Sequence, residues 1–97
     1  MAGYYLSEEA HADLVGIAVY TAERWGDRQE EIYIGRLYER FAALADNPTL
    51  GRPCDDVRPG LRRVQEGSHV VFFEPAGDEV LIVRVLHQSM LPEKHLA

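Results

Sequence analysis

Between Gly67 and Met90 the chain reads GSHVVFFEPAGDEVLIVRVLHQSM, with apolar runs at Ser68–Phe73 and Val80–Leu86 around the turn formers Pro75-Ala76-Gly77-Asp78-Glu79. Short β-branched and aromatic runs either side of such a cluster predict an antiparallel hairpin. Strand residues alternate faces, which puts Val80, Ile82, Arg84 and Leu86 on one side and Leu81, Val83, Val85 and His87 on the other. Both sets are largely apolar, and Val70 with Phe72 and Val71 with Phe73 repeat this in the first strand. A sheet with one wet face alternates apolar with polar instead. Both faces are therefore expected to be covered, and in a short chain a partner is a candidate for the second.

Upstream the period changes to that of a helix. Ser7 offers an N-cap, Glu8 and Glu9 suit the first turn, and Leu14, Ile17, Ala18, Thr21 and Trp25 recur at helical spacing up to Gly26. Asp27 with Glu30 reads as a capping box for a second helix, whose stripe is Tyr33, Leu37, Phe41 and Leu44. Asp46-Asn47-Pro48 stops it. Two such helices joined by a turn of about two residues form an antiparallel αα-hairpin. The stripe residues Leu14, Trp25, Tyr33 and Phe41 are assigned to the core.

Tyr4-Tyr5-Leu6 reads as a brief first strand and Leu61–Val64 as another, with a proline-rich crossing from Pro48 to Gly60 between helices and sheet. Leu91 to Ala97 forms a short tail with one helical turn after Pro92. The order β-α-α-β-β-β predicts an α+β fold over residues 1–97, a single domain with the αα-hairpin on one face of an antiparallel sheet. The other face is expected to be open, and an apolar patch of that kind marks an interaction surface.

Charge narrows the classes of function. A net charge of −6 and a pI near 5.1 disfavour a general nucleic-acid binder, whose affinity comes from basic groups displacing phosphate counterions. The single cysteine, Cys54, excludes an internal disulfide and fits a reducing cytoplasm. No stretch has the pattern of a secretory signal or the length of a membrane span. His11, His69, His87 and His95 lack the close spacing of a metal site, so neither metal nor cofactor is expected.

Several segments in order resemble the ParE toxins of bacterial type II toxin–antitoxin (ParDE) modules, within the RelE/ParE superfamily. They are Tyr5-Leu6-Ser7, Ala12-Asp13-Leu14, Trp25-Gly26, Phe41, Leu44-Ala45, Asn47-Pro48 and Leu50-Gly51-Arg52. More specific are Gly60-Leu61-Arg62-Arg63, Gly67–Phe73 and Val83–Met90. The resemblance implies a toxin that inhibits DNA gyrase by binding. It also implies neutralisation by a ParD-type antitoxin, whose N-terminal part binds DNA, so that this chain meets DNA only indirectly. Arg62, Arg63, His69, Val70, Phe72, Ile82 and Arg84 are the candidate antitoxin contacts, the arginines as partners for carboxylates. His87, Gln88, Met90 and His95 are the candidate gyrase contacts. Truncation after Leu86 is then expected to abolish growth arrest and leave a folded domain.

The related RelE toxins imply a second reading, a ribosome-dependent mRNA endoribonuclease. Cleavage by 2′-OH attack needs a base, an acid and a cation facing the phosphate. His69 and His87 share one face in a plausible hairpin register, and Arg62, Arg63 and Arg84 are the available cations. The only lysine, however, is Lys94 in the tail, and histidine stands at position 69 where those nucleases tend to carry arginine. Binding without catalysis is the preferred reading. A third is a non-toxic interaction module of the same fold.

Overall fold

The computed structural model describes residues 3–96. Strand β1 (Tyr4–Leu6) leads into helices α1 (Glu8–Trp25) and α2 (Asp27–Asp46), followed by a 3-10 turn at Pro48–Leu50. Strands β2 (Arg52–Pro53), β3 (Arg62–Glu66), β4 (His69–Ala76) and β5 (Glu79–His87) come next, then the short helix α3 (Glu93–Leu96). Ala97 of the expected tail lies outside the described residues. No helix among them is long and apolar enough to cross a membrane.

Local chemistry explains the helical hairpin. Ser7 Oγ accepts the Ala10 N–H at 2.9 Å and caps α1, while Thr21 donates to the Ile17 carbonyl at 2.6 Å and so enters the core with its hydroxyl satisfied. Gly26, at φ 91°, is the one residue between the helices and caps both of them. The expected box at Asp27 is thus not formed: Asp27 already lies inside α2, which has no side-chain N-cap. Leu14, Ile17, Leu37, Phe41 and Leu44 are buried as their spacing requires. Trp25 is not, at 67% exposed, because it sits on the last residue of α1, beyond the reach of the sheet.

The sheet order is β1-β5-β4-β3-β2. All pairs are antiparallel except β1 with β5, which is parallel, Tyr4 to Leu6 lying beside Val80 to Ile82. The sheet is therefore mixed, because the chain leaves β1 through the helical hairpin and returns at β2 on the opposite edge, with three strands between. Two-residue turns join β3 to β4 at Gly67-Ser68 and β4 to β5 at Gly77-Asp78, with Gly67 at φ 58° and Gly77 at φ 68°. Glycine takes the left-handed conformation that such tight hairpins need.

A bulge in β5 changes which residues share a face. Phe72 pairs with Arg84 but Phe73 with Ile82, so Val83 is an extra residue. Strict alternation fails across it. Ile82 and Val85 both join the helix-side core with Val71, Phe73 and Val80, while Val83 and Leu86 both face outward.

That outward face is not open. Phe72, Val83 and Leu86 are buried there by Cys54 from the proline-rich crossing, Leu61 just before β3 and Leu96 from α3, with Val57, Val70 and Leu81 packed around them. Cys54 is 4% exposed, and burial pushes its thiol pKa up. The second flank of the sheet is covered by the chain's own loop and tail, and the open apolar face expected there is not found among the described residues.

Candidate functional site

The large opening lies instead on the helix side, where α1 and α2 diverge from the end of the β4–β5 hairpin. It is a groove of about 1060 Å³. One wall is α1, with Ala12 and Gly16 leaving space between the larger Asp13, Ile17 and Tyr20. Nothing lies within 4 Å of where a Cβ on Gly16 would be. Trp25, Gln29 and Tyr33 close the end at the helical turn, and Val85, His87, Ser89 and Met90 line the side of β5. Tyr20, Trp25 and Met90 are 58%, 67% and 45% exposed. Large apolar side chains held beside a concave surface are characteristic of a docking site.

Tyr33 organises the polar end. Its hydroxyl accepts the Ser68 N–H at 3.2 Å and meets His69 Nδ1 at 2.6 Å, with the Glu66 carbonyl at 3.2 Å as another partner. The ring rests on Gly67, where a Cβ would come within 2.7 Å of it. Glycine at 67 is thus required twice, by its φ and by this contact. His69 and His87 are direct cross-strand partners with ring centroids 5.5 Å apart at 88°. His69 is half-buried; burial, and then the neighbouring His87, hold its pKa below the usual histidine value. His87 is exposed, and its Nδ1 accepts the Ser89 N–H at 3.1 Å.

Asp13 fixes the wall to the strand. Its carboxylate takes Arg84 Nε–H at 2.8 Å, Arg84 Nη2–H at 2.9 Å and the Val85 N–H at 2.9 Å. Strand β1 ends beside Ile82, so beyond it side chains satisfy the β5 backbone: Ser7 Oγ–H donates to the Val83 carbonyl at 2.7 Å and Asp13 serves Val85. The hydrogen bond to Asp13 raises the Arg84 pKa against the effect of burial. Arg84 is therefore committed within the fold rather than offered to a partner.

The other expected antitoxin contacts divide clearly. Ile82 and Phe72, at 0% and 1% exposed, are core residues of the inner and outer faces and cannot reach a partner. Arg62 donates to the Pro48 carbonyl at 3.2 Å and the Gly51 carbonyl at 2.6 Å, tying β3 to the 3-10 turn. Arg63 and Val70 are half-buried, Val70 against the outer cluster. Only His69 of the seven lines the groove. Of the expected gyrase contacts, His87 and Met90 line it and Gln88 is exposed beside them. His95 is exposed on α3, away from the groove lining. Sequence reasoning missed Tyr33, Asp13 and Trp25, which it placed in the core or left unassigned. The Gly67-Ser68-His69 run facing an aromatic on α2 was the available signal.

Chemically the groove offers two imidazoles, hydroxyls and an apolar wall, but no lysine or arginine lines it. A phosphodiester transition state placed against the histidines would lack a cation there. Among the described residues no three His, Cys, Asp or Glu side chains gather as a metal site.

The family model for the ParE toxin of the type II toxin–antitoxin system parDE matches residues 4–92. The chain belongs to this family. Toxin ParE1 of Caulobacter vibrioides is 44% identical over 96 residues, 99% of each chain. Toxin ParE1 of Mycobacterium tuberculosis is 42% identical, covering 96% of each. Toxin ParE of Escherichia coli is 38% identical over 93% of this chain and 88% of its own length. A solved chain of the chromosomal ParDE system from P. aeruginosa superimposes with a TM-score of 0.74 at 20% identity, over 90% of this chain and 95% of that one. This last likeness shows the ParE fold.

Proposed function

We propose that this ParE-family chain inhibits DNA gyrase by binding, without catalysis of its own, and that a ParD-type antitoxin neutralises it by laying a segment into the groove between α1 and the end of the β4–β5 hairpin. The observation that carries the reading is the family match over residues 4–92. The open apolar groove gives the antitoxin a place to dock, by helix-in-groove contacts on Ile17, Tyr20 and Trp25. The exposed turn from His87 to Met90 is the proposed gyrase-contacting surface, with His95 of α3 as an outlying member.

Purified protein added to gyrase in supercoiling and cleavage assays tests this directly. Loss of supercoiling with accumulation of cleaved DNA, relieved by a ParD-type antitoxin, is the expected result. Unaltered gyrase activity together with codon-linked cuts in mRNA from expressing cells would replace it with the ribonuclease reading. Absence of both effects, and of growth arrest, would leave a binding module.

A further inference from the structure

The polar end of the groove has a feature that apolar docking does not use. His69 and His87 stand side by side with Nδ1 engaged in both, on Tyr33 in one and Ser89 in the other. Because His87 Nδ1 accepts a backbone N–H, the proton of its neutral form sits on Nε2. A Tyr33 hydroxyl that donates to His69 Nδ1 gives His69 the same tautomer. Among the described residues neither Nε2 has a hydrogen-bond partner, and no unsatisfied side-chain nitrogen of a residue short of full exposure is buried. The Nε2 of half-buried His69 therefore keeps access to solvent, and both His69 and the exposed His87 line the groove.

We propose that this histidine pair is a carboxylate subsite, whose two Nε2–H groups receive an Asp or Glu side chain of the segment that docks in the groove. The proposal rests on the groove being a docking site, and it specifies the chemistry of the occupant. The surrounding charges permit it. From α1, Asp13 faces the pair and favours its protonated form, its own carboxylate being paired with Arg84 at 2.8 Å, and Tyr20 brings a hydroxyl. From α2 comes Tyr33; from β3, Glu66 is paired with Arg40 at 3.0 Å. With no lysine or arginine lining the groove, the imidazoles are its only candidate positive charges among the described residues.

The same network accommodates a protonated ring. When His69 carries both protons, Nδ1–H donates to the Tyr33 oxygen and the phenolic hydrogen turns to the Glu66 carbonyl, 3.2 Å away. No group must move. A bound carboxylate thus favours the imidazolium form, and binding is coupled to proton uptake. The occupant's acid supplies specificity, since a glutamine in its place would leave the coupling unused.

The test is to follow the imidazole resonances of the intact protein by NMR through a pH titration. The probes are N-acetylglutamic acid α-amide and, at matched ionic strength, its glutamine isostere. At about 0.2 M probe the His69 and His87 midpoints are expected to rise by ~0.5 unit with the glutamate compound alone, a roughly threefold ratio of 1 + [L]/Kd between the protonated and neutral pair. His11 and His95, both exposed and outside the groove lining, serve as internal controls. His87→Gln, at an exposed position, is expected to keep the fold and abolish most of the His69 response. Equal shifts at all four histidines, or no shift at His69 and His87, would overturn the proposal. So would a His69 response left intact in His87→Gln. The titration involves neither gyrase nor antitoxin, so failure of the inhibition assays and failure of the subsite are read separately.

Discussion

Leu96 is the residue on which the outer face of the sheet closes, and its replacement by alanine tests that arrangement. The side chain is 4% exposed and joins Phe72, Val83 and Leu86. Full burial of leucine contributes about 1.5–3 kcal/mol, and Leu→Ala in cores costs about 2–5 kcal/mol depending on how far the site collapses. At the rim, held by a four-residue helix that has no stability of its own, the low end applies, about 2 kcal/mol. With a urea m-value of about 1–2 kcal/mol/M for a chain this small, the unfolding midpoint is expected to fall by roughly 1–2 M. Truncation after Leu86 removes the same anchor and uncovers Phe72 and Val83 as well, so its loss should be larger still. The domain left behind is then not the intact fold expected of it, and a non-toxic truncation would not locate the gyrase surface. Substituting the exposed Gln88 and Met90 would. A Leu96→Ala unfolding free energy within about 0.5 kcal/mol of the parent would show that α3 is not part of the packed structure and would refute the sealing argument.

Gly67→Ala combines a left-handed φ, costing about 1–2 kcal/mol for a residue with a Cβ, with a contact that displaces Tyr33; a loss of about 2–4 kcal/mol in urea unfolding is expected, with the His69 resonances shifted. Asp13→Ala strands Arg84 and the Val85 N–H; charge-assisted hydrogen bonds are worth about 1.5–3 kcal/mol each before solvent screening, so a loss of about 2–3 kcal/mol is expected. Adding Arg84→Ala should cost less than the sum of the two single changes, and additivity would show the pair to be uncoupled. His69 has a folded pKa below its ordinary 6.5, so the unfolded chain binds the proton more readily and stability rises with pH. The contribution is complete above 6.5 and is lost as pH falls below that value toward the lowered folded pKa; urea midpoints from acid to neutral pH should show this slope in the parent and lose part of it in His69→Gln.

The elements that periodicity reveals well are those whose partners are close in sequence. Helix α1 with its Ser7 cap and the α2 stripe follow from residues three and four apart, and the two hairpins follow from glycines at 67 and 77. The pairing of β1 with β5 spans most of the chain, and no local pattern distinguishes an edge added in parallel from one added antiparallel. Trp25 shows the limit of the helical stripe: spacing gives a direction around the axis, but not whether the sheet extends that far along it.

The displacement of the docking surface from one sheet face to the other has a single physical origin. A strand apolar on both sides needs two covers, and the pattern alone does not say whose atoms provide the second. Here Cys54, Leu61 and Leu96 do so, Cys54 and Leu96 from stretches whose local composition is that of a loop or tail and Leu61 from the start of a short strand pattern. Once they are in place, the exposed apolar side chains that line a concave surface are Tyr20 and Trp25 of α1 with Met90 after β5, beside a strand end that the bulge at Val83 has turned. The bulge and Asp13 belong together: the extra residue carries β5 past the end of β1 with backbone groups still to satisfy, and an acid on α1 meets them. That acid also holds Arg84, which removes from the groove the positive charge that strand alternation had placed on a partner surface. The cationic role then falls to whatever in the groove can acquire a proton, and His69 with His87 are the residues that can.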